Sequence, residues 1–192
     1  MIKSPTYFDK VTTLLKKAYN ENRTILVLGN RIDSLVHIAE KAALDKDKIG
    51  IFIPGASDES KLTVSNTVEL ETAFKKKQIV ISTYGACRDG NNRPELDFLI
   101  MSCPTGNVEQ AAGRILRVVD NKRRPIVLDL VDTDGPKVNS RFNPEKQIGH
   151  FERSAEYRIE KYKKLNWEVH KIIERPNGAN NGINRRTNGE GT

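Results

Sequence analysis

Hydrophobic positions along the chain fall into two alternating kinds. Short, continuous aliphatic runs occur as TILVL at 24–28, IGIFI at 49–53, QIVIS at 78–82, LDFLIMS at 96–102 and RPIVLDLV at 124–131. They lack polar alternation, the pattern of strands covered on both faces. Between them, RIDSLVHIAEKAAL, NTVELETAFKKK and VEQAAGRILRVV carry apolar residues at helical spacing. This alternation predicts an α/β fold: a parallel sheet with helices on both faces. Ahead of the first run, a helix over about 5–21 gathers Tyr7, Val11, Leu14, Leu15 and Ala18 into one apolar stripe, and residues 1–22 read as an N-terminal linker helix.

The pattern changes after the last run. DTDGPKVNSR reads as a loop, followed by a long charged amphipathic helix near 144–164 and the apolar segment WEVHKII, in which Trp167 serves as a packing anchor. Residues 135–174 are therefore assigned to a helical extension of the sheet domain at 23–134. The final stretch, 175–192, is rich in Gly and Asn and too poor in apolar residues to offset its ordering entropy, which predicts a disordered tail with Arg185 and Arg186 as solvated charges.

Composition narrows the function classes. The 192 residues, 37% hydrophobic and 30% charged, suit one domain of ordinary size with extensions. No apolar run approaches the roughly 20 residues of a membrane span. The start, MIKSPTYFDK, lacks the apolar stretch of a signal peptide, so an intracellular, non-secreted protein is expected. Cys87, Cys103 and the scattered His37, His150 and His170 have no metal-ligand spacing, and both cysteines read as core or near-core residues. A net charge of +7 favours a polyanionic partner.

Candidate chemistry gathers on two segments. In VEQAAGRILR (108–117), a helical projection puts Gln110, Arg114 and Arg117 in one arc, with Val108, Ala111, Ala112, Ile115 and Leu116 opposite. The helix so drawn has a buried back and a basic front. In STYGACRDGNNRP (82–94), Ser82 and Thr83 offer hydroxyls, Gly85 and Gly90 allow close backbone approach, and Arg88 and Asp89 carry charge. Such a turn at the carboxyl end of a parallel strand suits a phosphate backbone.

The run from about 23 to 134 resembles the carboxyl-terminal RecA-like domain of superfamily 2, DEAD/DEAH-like helicases, of the kind found in phages and large DNA viruses. TILVLGNRIDSL is similar to motif IV, VISTYGACRDG to motif V, and QAAGRILR to motif VI, Q-x-x-G-R-x-x-R. The resemblance implies an ATP site shared between two RecA-like domains. It makes Arg117 the arginine finger, worth roughly 10³ to 10⁵ in rate in related nucleotide hydrolases. Arg114 would bind the γ-phosphate, Gln110 would place the nucleophilic water or phosphate, and Gly113 would admit the opposite domain. Gly90 and Asn92 are implied nucleotide contacts; Asn30, Arg31, Ser82, Thr83 and Gly85 are implied nucleic-acid contacts. At 89–94 this chain has DGNNRP against the related EGLDIP, so Asn92 stands where the aspartate lies. It keeps hydrogen-bonding capacity and loses the negative charge.

The chain has no G-x-x-x-x-G-K-[ST] phosphate loop, and Asp58-Glu59 follows a Pro-Gly turn on a polar loop rather than forming a magnesium motif. ATP and Mg²⁺ are thus expected to be held largely by an N-terminal RecA-like ATPase domain, in cis or in trans. The expected function is the second motor domain of an ATP-dependent helicase or translocase on DNA or RNA, at a single strand or fork, in the cytoplasm or a viral replication site. The alternative is a noncatalytic RecA-like module that binds nucleic acid or a partner protein.

Overall fold

In a computed structural model, residues 5–45, 47–52, 63–64, 76–88, 93–133 and 136–172 are described. The aliphatic runs form parallel strands: β1 (Ile25–Gly29), β2 (Ile49–Phe52), β4 (Ile79–Thr83), β5 (Phe98–Met101) and β6 (Ile126–Asp129). The short β3 (Thr63–Val64), which the hydrophobic pattern does not predict, adds one edge, giving the order β3-β2-β4-β1-β5-β6 with every pair parallel. Residues 66–75 of the expected helix over 66–77 and the tail beyond 172 lie outside the described residues.

Successive side chains along a strand face opposite ways, and β1 shows the consequence. Ile25 and Val27 join the core beneath α1 (Pro5–Asn20) and α2 (Ile32–Ala42), with Val11, Leu15, Leu35 and Ile38. Leu26 and Leu28 join a second core beneath α3 (Val108–Gly113) and α4 (His150–Lys164), with Val108, Ala112, Ile115 and Tyr162. Helices cover both faces, as the continuous aliphatic runs require. The α1 stripe is part of this packing, with Val11 and Leu15 fully buried.

The extension differs in detail from its sequence reading. Part of the expected loop forms β7 (Lys137–Asn139), antiparallel to β8 (Gln147–Gly149), and α4 starts only at His150. The Glu152 carboxylate accepts from the Gly149 amide at 2.9 Å, satisfying a polar group at the helix start. Trp167 stacks on Tyr162 with centroids 5.4 Å apart.

Two ion pairs tie the sheet at its opposite ends. At the amino ends of β1 and β5, Arg23 contacts Asp97 at 3.1 Å, and the other Asp97 oxygen accepts from the Thr24 amide at 2.9 Å. At the carboxyl end of β6, Arg158 of α4, only 1% exposed, grips Asp129 in a bidentate pair at 2.7 and 3.0 Å. Tyr162 donates to the same carboxylate at 2.9 Å. Burial works against the Arg158 charge, but the hydrogen bonds and charge of Asp129 outweigh it and raise the guanidinium's pKa.

Removing one member of such a pair strands a buried charge. Arg158→Met is expected to lower unfolding free energy in urea by roughly 3–5 kcal/mol, and the double change Arg158→Met/Asp129→Leu to recover much of that loss. Equal loss in both variants would show that the pair's charge balance is not what holds α4.

Candidate functional site

The chain reverses its progress across the sheet at β1. From β1 it passes to α2 on one face, and from the neighbouring β5 to α3 on the other. The carboxyl ends of β1 and β5 are therefore a topological switch point, where open α/β sheets leave a crevice for ligands. On the far side of β1, the register pairs Gly29 with Thr83 of β4. Three loops meet there: that of Asn30 and Arg31, that of Tyr84 to Arg88, and that of Ser102 to Asn107.

Hydrogen bonds knit these loops together. The Tyr84 amide donates to the Gly29 carbonyl at 3.1 Å, and its hydroxyl to the Cys103 carbonyl at 2.8 Å. The Asn30 amide donates to Cys103 Sγ at 3.1 Å, and the Ser102 hydroxyl to the Leu28 carbonyl at 3.0 Å. From α1, the Tyr7 hydroxyl donates to the Ser102 carbonyl at 2.5 Å. Burial first, then the charge at Cys103, raises the pKa of both tyrosines well above the ordinary phenol value, so each remains a protonated donor. Neither cysteine is in a disulfide; Cys87 is buried and Cys103 half-buried. Gly29 makes this contact possible: a Cβ there would lie 2.6 Å from Ser102 Oγ and 3.0 Å from a Leu35 methyl.

The expected nucleic-acid residues divide at this edge. Asn30, Arg31 and Gly85 are exposed and Thr83 half-buried, its hydroxyl accepting from the Ala86 amide at 3.1 Å. Ser82 does not reach the surface. It is fully buried, in register with Leu28 of β1 in a sheet covered on both faces, and its hydroxyl donates to the Thr83 carbonyl at 3.3 Å. Gly90, Asn92 and the loop of Asp58 and Glu59 lie outside the described residues.

Gln110 stands in the first turn of α3. Its amide donates to the Asn107 side-chain oxygen at 3.2 Å, and its own side-chain oxygen accepts from the Asn107 amide group at 3.0 Å, a reciprocal cap. The single helical arc drawn from the sequence does not extend to Arg117. The helix ends at Gly113, Arg114 is its half-buried cap, and Leu116, placed on the buried side by the projection, is 42% exposed. Lys122 supplies the physical reason. Its ammonium donates to the carbonyls of Ile115 and Arg117 at 2.8 and 2.7 Å, satisfying acceptors that a continuing helix would pair with amides four residues on. Burial, together with nearby Arg117, lowers the Lys122 pKa against the pull of Asp97 and Glu95. Arg117 is thus exposed on a pinned, non-helical segment, flanked by exposed Leu116 and by Val118 at 95% exposure. Gly113 is exposed, and a Cβ there would meet nothing within 4 Å. Packing within this chain does not demand that glycine.

Comparison with known proteins adds ancestry to this geometry. No protein-family profile matches the chain. It is 28% identical over 153 residues to the Acanthamoeba polyphaga mimivirus protein named "Putative ATP-dependent RNA helicase L396", covering 78% of this chain and 27% of that protein. The chain thus spans about a quarter of that relative's length. Its fold matches T4 UvsW with a TM-score of 0.58 at 21% identity, over 82% of this chain and 32% of that one. It also matches the C-terminal part of the Fun30 ATPase domain with a TM-score of 0.53 at 15% identity, over 86% and 57%. The chain thus shares the fold of these solved domains and counts a viral protein named "Putative ATP-dependent RNA helicase" among its relatives. Among the described residues of this domain, the sequence motifs and exposed polar side chains coincide at the switch-point loops and the α3 segment. Tyr7, Cys103 and Lys122, which help hold those places in shape, lie outside the quoted motifs, and Tyr84 lies within one without being singled out, since their roles arise from contacts far apart in sequence.

The Gly29 contact is open to test. Gly29→Ala is expected to destabilise the domain by about 1–3 kcal/mol in urea unfolding. Adding Ser102→Ala should restore part of it, so that the two changes are less than additive. Strict additivity would mean that Gly29 and Ser102 are not in steric conflict.

Proposed function

We propose that this domain is the second motor domain of an ATP-dependent nucleic-acid helicase or translocase, acting with a first RecA-like domain that carries the phosphate loop and the Mg²⁺ ligands. The observation that carries the reading is that the Q-x-x-G-R-x-x-R segment follows β5, the strand beside β1 at the switch point, while the exposed Asn30, Arg31 and Gly85 lie on the loops after β1 and β4. The relatedness to a protein named "Putative ATP-dependent RNA helicase", and the fold shared with T4 UvsW and the Fun30 ATPase domain, support it.

The donor set fits a triphosphate. Two guanidiniums and one carboxamide, from Arg114, Arg117 and Gln110, lie within eight residues of one another, with Arg117 and Gln110 exposed and Arg114 half-buried. ATP, when bound with its metal at the first domain, would supply the transferable phosphoryl group. In this reading Arg117 neutralises charge that develops on phosphate oxygens, Arg114 binds the terminal phosphate, and Gln110, oriented by Asn107, holds a water or phosphate oxygen. Pinning of the Arg117 carbonyl by Lys122 restricts where the guanidinium is presented without using the side chain itself. Exposed Leu116 and Val118 beside it offer apolar surface to the first domain. Asn30, Arg31, Thr83 and Gly85 would hold a phosphate backbone along the carboxyl edge of the sheet, which fixes position and is indifferent to base sequence.

The isolated chain is expected to show no ATP hydrolysis above background, because the phosphate loop that normally provides most phosphate affinity is absent from it. Sustained turnover by purified chain would overturn the division of labour between two domains. Joined to a phosphate-loop ATPase domain, Arg117→Ala should cut nucleic-acid-stimulated turnover by roughly 10³-fold or more while changing folding stability by less than about 0.5 kcal/mol. Arg117→Lys should not fully rescue it, since an ammonium lacks the planar fork. A large fall in melting temperature with an unchanged rate per folded molecule would make Arg117 structural.

A further inference from the structure

Among the described residues, two Phe, Tyr or Trp side chains are exposed, and both lie on the extension: Phe142 at 55% and Tyr157 at 39%. Phe142 sits in the loop between β7 and β8, which is braced rather than loose. The Ser140 hydroxyl and the Arg141 amide both donate to the Glu156 carboxylate of α4, at 2.6 and 2.7 Å. The Phe142 and Asn143 amides donate back to the Ser140 hydroxyl at 3.2 Å each. A braced loop backbone thus presents at the hairpin tip an apolar ring that is more than half exposed.

Cations surround these rings. The Arg141 guanidinium lies 5.4 Å and the Lys161 ammonium 5.1 Å from the centroid of the Tyr157 ring, so one aromatic face system gathers two like charges that would otherwise repel. Arg153, Lys164 and Lys146 are exposed on the same helix and hairpin. Against them stand exposed Glu145 and half-buried Glu160, while Glu156 is engaged by the hairpin. Lys161 also donates to the Gly106 carbonyl at 2.9 Å, in the loop between β5 and α3. That contact joins the basic and aromatic patch to the sheet edge already described.

We propose that the β7–β8 hairpin tip and the outer face of α4 form a second contact surface for single-stranded nucleic acid, with Phe142 stacking on a base and Arg141 and Lys161 neutralising phosphates. Basic groups that follow the backbone, interleaved with exposed rings, are the chemistry of sequence-tolerant strand binding. The strand would pass from Asn30 and Arg31 at the edge, over the Gly106 loop, to the hairpin. The proposal rests on the nucleic-acid reading above.

Anisotropy of fluorescein-labelled oligothymidylate and oligouridylate, titrated with the full 192-residue chain at several salt concentrations, tests it. Phe142→Ala is expected to raise Kd about five-fold or more with little change in salt slope, from the loss of one stacked base. Arg141→Ala is expected to reduce the slope of log K against log salt by about 0.7, one single-strand phosphate contact. Arg31→Ala reports on the sheet edge alone, and Phe142→Leu keeps an apolar side chain without an aromatic face should the alanine variant fold poorly. If the wild-type chain binds neither oligonucleotide at low salt, the nucleic-acid reading itself falls. If it binds, and Arg31→Ala weakens it while the Phe142 and Arg141 variants bind as wild type, the sheet edge stands and the hairpin surface is overturned.

Discussion

One carboxylate at the end of β6 organises much of this domain. Asp129 accepts from Arg158 at two atoms and from Tyr162, and all three side chains are shielded by the extension that they attach. An ion pair so placed is costly to desolvate, and is stable because each oxygen is hydrogen-bonded. Its value is positional. Asp129 is in register with Met101, so fixing α4 to it also sets the height of α4 against the carboxyl ends of β5 and β1. Besides that anchor, buried Ala155, partly buried Ile159 and the Lys161 contact with the Gly106 carbonyl help hold α4 in place.

The same edge illustrates how a binding crevice gains rigidity from groups that do not bind. Tyr7 comes from α1 and Tyr84 from the turn after β4, far apart in sequence, yet they donate to the carbonyls of Ser102 and Cys103 respectively. Buried donors held protonated by desolvation make a network that does not loosen with ordinary changes of pH. The glycine at the end of β1 leaves room for the Ser102 hydroxyl, which a Cβ there would meet at 2.6 Å. The exposed polar residues of the loops are therefore presented by a stiff frame, which lowers the ordering cost of engaging a ligand.

Lys122 plays a comparable part for the basic segment after α3. By taking two carbonyls, it turns what sequence periodicity draws as three helical turns into a short helix and a pinned extension. The outcome matters for the candidate arginines: Arg114 stays at the helix end, half-buried, whereas Arg117 is carried outward between two exposed aliphatic residues. A basic group framed by apolar surface suits an interface that closes and opens, because burial of Leu116 and Val118 on closure would desolvate the arginine's surroundings and strengthen its attraction for phosphate.

The sequence by itself determined the α/β class, the five main strands to within about two residues at either end, and the two helix-covered faces, because continuous aliphatic runs have no polar face to leave in water. It also marked Gln110, Arg114 and Arg117 through the spacing of one short segment, and Trp167 as a packing residue. It did not determine where that helix stops, since a lysine nine residues beyond Gly113 decides it through space. Nor did it show that Ser82 faces inward, as the hydroxyl's side of β4 depends on the register with β1 and β2. The pairing of Arg158 with Asp129, the Tyr7 and Tyr84 donors, and the cations gathered on Tyr157 were likewise decided only by tertiary structure. Periodicity reports which side of an element is apolar, a local property. Polar partnerships depend on which distant groups the fold brings within 3 Å of one another, and no local pattern encodes that distance.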